Sequence, residues 1–396
     1  MRVLAAGNMY PPHHFGGYEL VWRAAMRYLE EHGHDVRVLT TDVRVETSEP
    51  DDPNVRRDLR WYWRDHGFPA LPRRERLRLE RHNARVLRRE LREFRPDVVT
   101  WWSMGGMSLS MLERVRREGI PAVAFVHDDW LDYGRVVDGW TRVLRGRPRW
   151  FKRLTELAAG APASVDLEYA ARYVFVSETT RRRAREAGVD PADTGVAHSG
   201  IDPGFIDPAP EREWAWELLY VGRLDERKGV HTAVEALAQL PAEATLTLVG
   251  GWDAGEEARL RGRAREHGVE DRVRFAGQRS RAEVRAAYAD ADVVLFPVIW
   301  EEPWGLVPLE SMARGRPVVA TGRGGSGEYL SDGENAVLFE AGDADALARA
   351  LERLAGDADL RGRLRRGGLE TAPNYTEDHL NAAVLREVEA AVSSSA

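Results

Sequence analysis

The sequence predicts an α/β protein made of two Rossmann-like domains, each a parallel sheet covered by helices. Short apolar runs with the length and β-branched content of buried strands alternate along the chain with segments of helical periodicity. This alternation is typical of βαβ units and therefore of parallel sheets. At 396 residues the chain is longer than one hydrophobic core usually supports, which favours two domains.

The composition excludes several classes of protein. The chain has no cysteine, so a disulfide scaffold, a thiolate metal site and a cysteine nucleophile are excluded. A net charge of −7 argues against a general affinity for nucleic acid. The N-terminus runs directly into an apolar strand, and we find neither a signal peptide nor an apolar run long enough to span a membrane. A cytoplasmic protein is therefore expected.

The first domain is predicted over residues 1–205. Its strands are expected at residues 3–6, 36–39, 97–100, 122–126 and 173–177, the last of which closes the sheet, and its clearest helices at about 18–31 and 73–95. Three prolines, Pro203, Pro208 and Pro210, mark the linker to the next domain.

The second domain is predicted over residues 206–375, and a C-terminal helix over 376–396. Strands are expected at residues 218–221, 245–249, 273–277, 293–297 and 318–320. Helices are expected to end near residue 240, to cover 307–314, and to cover about 375–392 at the C-terminus. Gly315 is the predicted end of the helix over 307–314.

Two segments of the first domain allow more than one interpretation. Residues 42–72 show no clear period and contain Trp61, Tyr62, Trp63 and Phe68, which indicates either acceptor binding or, preferably, aromatic packing under a loop. The arginine-rich helix 73–95 and the basic cluster 142–153 could each lie on an anionic membrane. We favour a solvated face for both, with Glu75, Glu80, Glu90 and Glu93 lowering the charge of the helix.

A pair of glutamates follows the predicted strand 293–297. Glu302 lies on the loop after the strand, and Glu310 lies near the start of the following helix, where open α/β sheets bind ligands. A carboxylate can accept hydrogen bonds from both hydroxyls of a vicinal diol, as in a ribose or a hexose. A solvated glutamate in the first turn of a helix is the alternative explanation for Glu310.

Two further loops carry groups that suit a phosphate. Gly222-Arg223 and Lys228-Gly229 stand between a strand and a helix, where an arginine fork and a lysine charge could clamp a diphosphate. Gly16-Gly17 precedes the first helix, where backbone amides could approach an oxyanion. Surface charge in the first case and a simple turn in the second are the alternatives.

The pattern Glu302-x-Trp304-Gly305-x4-Glu310 resembles the paired-glutamate signature of the retaining glycosyltransferases of family four, which have the GT-B fold. Many members have Phe in place of Trp304. The resemblance implies that Glu310 holds the ribose diol of the donor nucleotide and that Glu302 contacts the transferred sugar. It also implies two domains facing across a cleft, with the C-terminal helix crossing back to the first domain.

The resemblance extends over nearly the whole chain. Gly16, Gly17 and Glu19 match the family's glycine loop, and His127 matches a histidine that follows an apolar strand and touches the donor sugar. The run Gly222-Arg223-x4-Lys228-Gly229 matches the family's diphosphate clamp. Gly250 follows a strand that resembles a segment of the family's base pocket. In the interdomain motif, His198 and Ser199 replace the family's Pro and Asn, so no role is carried over to them.

By this resemblance the chain transfers a sugar from a nucleoside diphosphate sugar to a hydroxyl with retained configuration, a UDP-sugar being favoured slightly over a GDP-sugar. A donor phosphate oxygen would deprotonate the acceptor, and neither a metal nor a cofactor is expected. The residues implied in catalysis are His127, Arg223, Lys228 and Glu302. The residues implied in donor binding are Gly16, Gly17, Arg223, Lys228, Gly250, Glu302, Trp304, Gly305, Leu306, Val307 and Glu310.

Other functions are also considered. An epimerase or hydrolase of nucleotide sugars would release free sugar without an acceptor, and a non-catalytic module would bind donor without turnover. The turn 322–327 formally fits a dinucleotide fingerprint, but it lies late in the chain rather than in a first βα unit. Nicotinamide binding is therefore not favoured, and in relatives this turn lies near the donor.

Overall fold

The computed structural model describes residues 1–14, 16–47, 49–64, 67–251 and 254–394. The chain divides into two compact units. The first unit comprises Met1–His198 together with Leu380–Ala396, and the second comprises Ser199–His379. Each unit contains a parallel sheet of its own.

Within the described residues of the first unit, seven parallel strands form one sheet in the order β3-β2-β1-β4-β5-β6-β7. They are β1 (Arg2–Ala6), β2 (Asp35–Thr41), β3 (Val55–Leu59), β4 (Val98–Trp101), β5 (Ala122–Val126), β6 (Arg172–Phe175) and β7 (Thr194–Val196). The strand order reverses between β1 and β4, which makes this pair the topological switch point.

The helices of the first unit are α1 (Gly17–Glu31), α2 (Arg73–Phe94), α3 (Ser110–Arg117), α4 (Trp130–Val137), α5 (Thr141–Leu144), α6 (Arg149–Ala159) and α7 (Glu178–Glu186). Alternate residues of β1 point to opposite faces of the sheet. Val3 and Ala5 share a core with Trp22 of α1, whereas Leu4 shares a core with Leu87 of α2. Both faces of this sheet are therefore covered.

The described residues of the second unit form a six-stranded parallel sheet in the order β10-β9-β8-β11-β12-β13. The strands are β8 (Glu217–Val221), β9 (Thr245–Val249), β10 (Val273–Gly277), β11 (Val293–Phe296), β12 (Val318–Ala320) and β13 (Val337–Leu338). Here the order reverses between β8 and β11, so the second switch point lies between these two strands.

The remaining helices are α8 (Val230–Leu237), α9 (Ala254–Glu266), α10 (Arg281–Asp290), α11 (Val307–Ala313), α12 (Ala344–Gly356), α13 (Ala358–Thr371) and α14 (Glu377–Ser393). Helix α14 begins in the second unit and continues in the first. Its Leu380, Val384 and Val388 are buried in the same core as Val3. In the part of the chain that the structure covers, no helix is both long enough and apolar enough to cross a membrane.

Two strands of the first sheet differ from the prediction. Strand β3 lies inside 42–72, which was predicted to be irregular, and β7 follows the strand that was predicted to close the sheet. Both are edge strands, with the sequences Val-Arg-Arg-Asp-Leu and Thr-Gly-Val. Edge strands need little apolar surface, so neither carries the apolar run by which a strand is identified.

The structure corrects the prediction for two of the four glutamates of the helix 73–95, whose arginines are mostly exposed. Glu80 and Glu90 of α2 are buried rather than solvated. Glu80 accepts hydrogen bonds from the hydroxyls of Tyr62, Ser108 and Ser110, and Glu90 pairs with Arg37 at 3.1 Å. Both buried carboxyl groups thus accept hydrogen bonds from side chains of their own unit, which a charge count along the helix does not reveal.

Candidate functional site

The second switch point brings together two loops that were predicted from separate parts of the sequence. One loop joins β8 to α8, and the other joins β11 to α11. Because β8 and β11 are parallel neighbours, both loops leave the sheet at its carboxyl edge. Ligands bind at this place in open α/β sheets.

Lys228 and Glu302 meet where these loops approach each other. The Lys228 ammonium donates to Oε2 of Glu302 at 2.7 Å, and both side chains are largely buried. The indole N–H of Trp300 donates to the same oxygen at 2.7 Å. The guanidinium of Arg227 lies over the Trp300 ring, 4.6 Å from its centroid. Trp300, which orients the carboxylate of Glu302, was not predicted from the sequence.

Arg223 belongs to the same β8–α8 loop, but its side chain is 60% exposed. Its guanidinium lies 3.5 Å from the Asp225 carboxylate, and its carbonyl accepts a hydrogen bond from the Tyr220 hydroxyl at 2.7 Å. The backbone of this residue is therefore fixed, while its charged group lies at the surface. An arginine in this position can reach an anion without losing a buried partner.

Glu310 lies in the first turn of α11 and is half-buried. The hydroxyl of Tyr288, a buried residue of α10, donates to its Oε2 at 2.7 Å. Burial raises the pKa of Glu310, and the hydrogen bond from Tyr288 and the charge of Arg281 offset part of this rise. Tyr288 is a second residue that the sequence analysis missed, since no local pattern links it to a glutamate 22 positions away.

The stretch from Trp304 to Val307 is positioned mainly by packing. Trp304 is buried, its indole N–H donates to the Ser199 carbonyl at 2.8 Å, and its ring lies 5.0 Å and 5.3 Å from the rings of Tyr329 and Tyr375. The Tyr329 hydroxyl donates to the carbonyl of Gly305. Leu306 and Val307, at the start of α11, are half-buried. The Trp304 side chain therefore anchors the loop that carries Glu302.

Gly250 is needed where it stands for a structural reason. It follows β9 with a φ of +149°, a conformation that favours glycine. A Cβ at this position would lie 1.9 Å from the carbonyl oxygen of Gly222. The backbones that leave β8 and β9 thus approach each other at the carboxyl edge, and only a residue without a side chain permits this.

The glycine-rich turn 322–327 supports Glu302 directly. Gly324 has a φ of +75°, and a Cβ there would lie 2.2 Å from the carbonyl oxygen of Glu302. The amide of Gly325 donates to that same carbonyl at 2.7 Å. The turn therefore fixes the backbone of Glu302, which accounts for the glycine at position 324.

In the first unit, Gly16 and Gly17 precede and begin α1. The Gly16 amide donates to the Glu19 carboxylate at 3.1 Å. A Cβ on Gly16 would lie 3.6 Å from that carboxylate, and a Cβ on Gly17 would have no atom of the described residues within 4 Å. Phe15, in the same predicted loop, lies outside the described residues. Neither glycine is therefore required by the packing around it.

His127 follows β5 at the carboxyl edge of the first sheet. Its ring lies 4.9 Å from the ring of Tyr18 and 5.9 Å from that of Trp102. Burial lowers its pKa to about 3, so the imidazole is neutral at neutral pH. Tyr18 belongs to the first turn of α1, which places His127 near the helix start that Gly16 and Gly17 form. The sequence analysis missed Tyr18.

Asp128 is next to His127 and is held by Tyr133, whose hydroxyl donates to its Oδ2 at 2.7 Å. Its Oδ1 is buried and makes no hydrogen bond to the described residues, and burial raises the pKa of the carboxyl group. The described residues contain no group of three or more His, Asp and Glu that could hold a metal ion. Asp128 is therefore held by Tyr133 at one oxygen, and its other oxygen is closed to solvent.

Two family models match the chain one after the other. Residues 15–205 match the model described as Glycosyltransferase Family 4, and residues 206–371 match the model described as Glycosyl transferases group 1. Together the two matches run from residue 15 to residue 371 without a gap. The first model begins after β1 and covers the other six strands of the first sheet, and the second covers all six strands of the second sheet.

The chain is similar to enzymes of several pathways. It is 42% identical to the lipopolysaccharide core biosynthesis glycosyltransferase LpsE of Rhizobium meliloti over 154 residues, which is 39% of this chain and 44% of that protein. It is 28% identical to the glycogen synthase of Mycobacterium tuberculosis over 387 residues, 90% of this chain and 86% of that protein. The match thus spans less than half of the first relative but most of the second.

The fold is similar to that of solved structures. Anabaena HepE in complex with UDP-glucose superimposes with a TM-score of 0.68 at 19% identity, over 98% of this chain and all of that chain. At this identity the similarity is one of fold. Both Rossmann-like sheets of the chain therefore have counterparts in a known protein.

Proposed function

Since this chain belongs to the group 1 glycosyltransferases, we propose that it moves a hexose from a nucleoside diphosphate sugar to a hydroxyl with retention of anomeric configuration. One observation carries the proposal: Lys228 and Glu302 are in contact, 2.7 Å apart, at the switch point of the second sheet. A cation for the leaving diphosphate and a carboxylate for the sugar thus stand side by side where a nucleotide would bind.

The basic residues act on the leaving group. As the bond between sugar and phosphate breaks, negative charge develops on the diphosphate, and the preorganised charges of Lys228 and Arg223 stabilise it. Arg223, whose exposed guanidinium is paired only with Asp225 at 3.5 Å among the described residues, closes on the diphosphate from the surface. Lys228 approaches from the buried side as a compact ammonium.

The glutamates orient the donor. Glu302, fixed by Trp300 and by the turn at Gly324, accepts hydrogen bonds from hydroxyls of the sugar. Glu310 accepts hydrogen bonds from the ribose diol, and its bond from Tyr288 holds the carboxylate in one orientation. Restraining both ends of the donor reduces the entropy that is lost when the reacting atoms align.

The nucleotide is proposed to be UDP. The structure of HepE, which has a similar fold, contains UDP-glucose. We therefore choose UDP as the hypothesis for this chain. We further propose that no divalent metal takes part, because Arg223 and Lys228 supply the positive charge that a metal would bring to the diphosphate. A donor phosphate oxygen takes the proton of the attacking hydroxyl, so a protein base is not needed.

We assign acceptor binding to the first unit. There, the neutral ring of His127 follows β5 at the carboxyl edge of the first sheet. The stacked rings of Trp61 and Trp63, with centroids 4.8 Å apart, lie in the segment 42–72, for which acceptor binding was the alternative to packing. A flat aromatic surface suits the apolar face of a sugar.

Nucleotide binding and turnover test the function together. Thermal unfolding is measured with UDP, GDP, ADP and dTDP, since a ligand at a hundred times its dissociation constant adds about 2.7 kcal/mol of stability. UDP is expected to raise the Tm most, and Glu310→Gln to reduce that rise. UDP release from UDP-sugars is then measured with and without candidate hydroxyl acceptors.

The outcomes are distinct. If none of the four nucleotides raises the Tm, the proposal is overturned. Shifts without turnover under any acceptor would favour a binding module, and free sugar formed at the full rate without an acceptor would favour a hydrolase. A shift with GDP alone would replace only the choice of base.

A further inference from the structure

Helix α6 of the first unit exposes an apolar stripe to solvent. Trp150, Leu154 and Leu157 are 65%, 57% and 75% exposed, and Phe151 is also exposed. At 3.6 residues per turn these four side chains fall within an arc of about 120°. Among the described residues of this helix only Ala159 is buried. On successive turns, α6 thus presents large apolar groups that the described residues leave mostly exposed to solvent.

Such a stripe needs an explanation. Single exposed apolar residues are ordinary on protein surfaces, but a contiguous group on one face marks an interaction site. Helix α2, the other arginine-rich helix, differs in this respect, because its Leu79, Leu87 and Leu91 are buried in the first unit. The apolar face of α2 is therefore already occupied, and that of α6 is not.

The segment that carries the stripe is rich in positive charge. Residues 142–158 contain six basic residues and one acidic residue, a net charge of +5 (6 minus 1), in a chain whose net charge is −7. The basic residues are Arg142, Arg145, Arg147, Arg149, Lys152 and Arg153. The acidic residue, Glu156, lies 3.2 Å from Arg117. Around the helix, Arg149 and Arg153 lie together on one border of the apolar arc.

We propose that α6 docks the protein on the surface of an anionic lipid bilayer. Tryptophan, phenylalanine and leucine on one face with arginine and lysine at its border are the composition of helices that lie in the interface of a membrane. The basic residues are attracted to anionic headgroups, while the apolar side chains enter the boundary of the acyl chains. This inference does not depend on the proposed sugar transfer.

Vesicle binding tests the inference. The full chain is sedimented with vesicles of phosphatidylcholine alone and of phosphatidylcholine with phosphatidylglycerol. We expect binding to the anionic vesicles that weakens as salt is added, and little binding to the neutral ones. A variant combining Trp150→Ser, Leu154→Ser and Leu157→Ser should bind at least about tenfold more weakly, as should Arg149→Glu combined with Arg153→Glu.

Tyr169→Ser is the matched control, because Tyr169 is 64% exposed and lies outside α6. It should bind anionic vesicles as the unaltered chain does. All substituted side chains are exposed, and an unchanged Tm verifies that each variant is folded. Failure of the unaltered chain to bind anionic vesicles, or equal binding by the serine variant, would overturn the proposal. If the serine variant instead abolishes a concentration-dependent dimer seen without lipid, α6 is an interface between copies of this chain.

Discussion

The Lys228 ammonium and the Glu302 carboxylate lie 2.7 Å apart, both largely withdrawn from solvent. At the scale of single residues, each of them neutralises the other before any ligand arrives. A diphosphate that binds Lys228 therefore competes with Glu302 for the same ammonium. Because of this competition, a change at Glu302 or Lys228 can affect the affinity for the nucleotide and the rate of sugar transfer differently. Two substitutions test this expectation.

Glu302→Gln is expected to bind free UDP severalfold more tightly and to lower sugar transfer by at least about tenfold. The amide retains the shape of the side chain but removes the negative charge that competes with the diphosphate for Lys228. Calorimetry with UDP and an assay of UDP release measure the two effects. Glu301→Gln, one residue earlier, is the control. Weaker UDP binding by Glu302→Gln would show that the carboxylate assists the nucleotide.

Lys228→Arg is expected to preserve the Tm and to lower turnover by at least about tenfold, or 1.4 kcal/mol of transition-state stabilisation. A guanidinium is wider than an ammonium and prefers a forked geometry, so beside Arg223 it would crowd the leaving group. Lys152→Arg is the matched control, since these are the two lysines of the chain. Turnover close to that of the unaltered enzyme would mean that any cation suffices at position 228.

At the scale of elements, α2 contains a buried carboxyl group whose titration affects stability. Burial and the nearby Asp138 raise the pKa of Glu80 from 4.5 to about 8. The hydrogen bonds from Tyr62, Ser108 and Ser110 lower this pKa and offset part of the rise. The folded state binds the proton of Glu80 more tightly than the unfolded chain does, so protonation of Glu80 stabilises the folded state. This contribution to the free energy of unfolding is complete below about pH 4.5. It is lost as the pH rises through about 8.

We therefore expect the stability of the protein to fall between pH 5 and 8, with a slope of up to about 1.4 kcal/mol per pH unit from Glu80. Glu80→Gln should flatten this slope, and Glu93→Gln, on the exposed side of the same helix, should leave it unchanged. Urea unfolding at a series of pH values measures the slopes. Equal slopes in the two variants would contradict the assignment.

The aromatic segment before α2 has a double role. Trp61 is buried, and its indole N–H donates to the Gly105 carbonyl at 2.8 Å, so its removal would destabilise the unit. Trp63 is half-buried and stacks on Trp61. The packing that we favoured for these aromatics thus describes Trp61, and acceptor binding stays a hypothesis for Trp63.

Trp63→Ala is expected to raise the acceptor KM by about tenfold, because the stacking surface is lost. Affinity for UDP should stay the same, since the nucleotide is assigned to the second unit. Initial rates over a range of acceptor concentrations and calorimetry with UDP separate these effects, with Tyr169→Ala as the control. A loss of UDP affinity without a change in acceptor KM would reverse the assignment of the two units.

At the scale of the whole molecule, removal of metal tests how charge is supplied. If Arg223 and Lys228 neutralise the leaving diphosphate, consumption of the donor should be equal with and without excess EDTA. The assay is repeated after addition of Mg²⁺ or Mn²⁺. Complete loss of turnover in EDTA, restored by either ion, would show that a metal supplies the charge instead.

The family and the fold predicted from the sequence are confirmed. Both family models match, and two parallel sheets of Rossmann type are present. Interior parallel strands are apolar on both faces, so β1, β5, β8 and β11 stand out as apolar runs. The edge strands β3 and β7 were missed, because an edge strand can be short, polar or charged.

Some properties follow from the sequence by itself. Local chemistry determined the alternation of strands and helices, the position of Glu302 and Glu310 after β11, and the position of Arg223 and Lys228 after β8. Each depends on residues close to one another along the chain, where strand runs, glycine turns and helix starts can be recognised. The paired carboxylates and the cations were therefore predictable as groups suited to a ligand.

Only the tertiary structure decided how those groups are paired. It placed Lys228 against Glu302, Tyr288 against Glu310 and the Gly324 turn beneath Glu302. It also buried Glu80 of α2 and left the apolar stripe of α6 exposed. Helical periodicity is the same for a face that packs on a core and for one that faces solvent. Which of the two occurs depends on neighbours distant in sequence, and those become known only when the chain is folded.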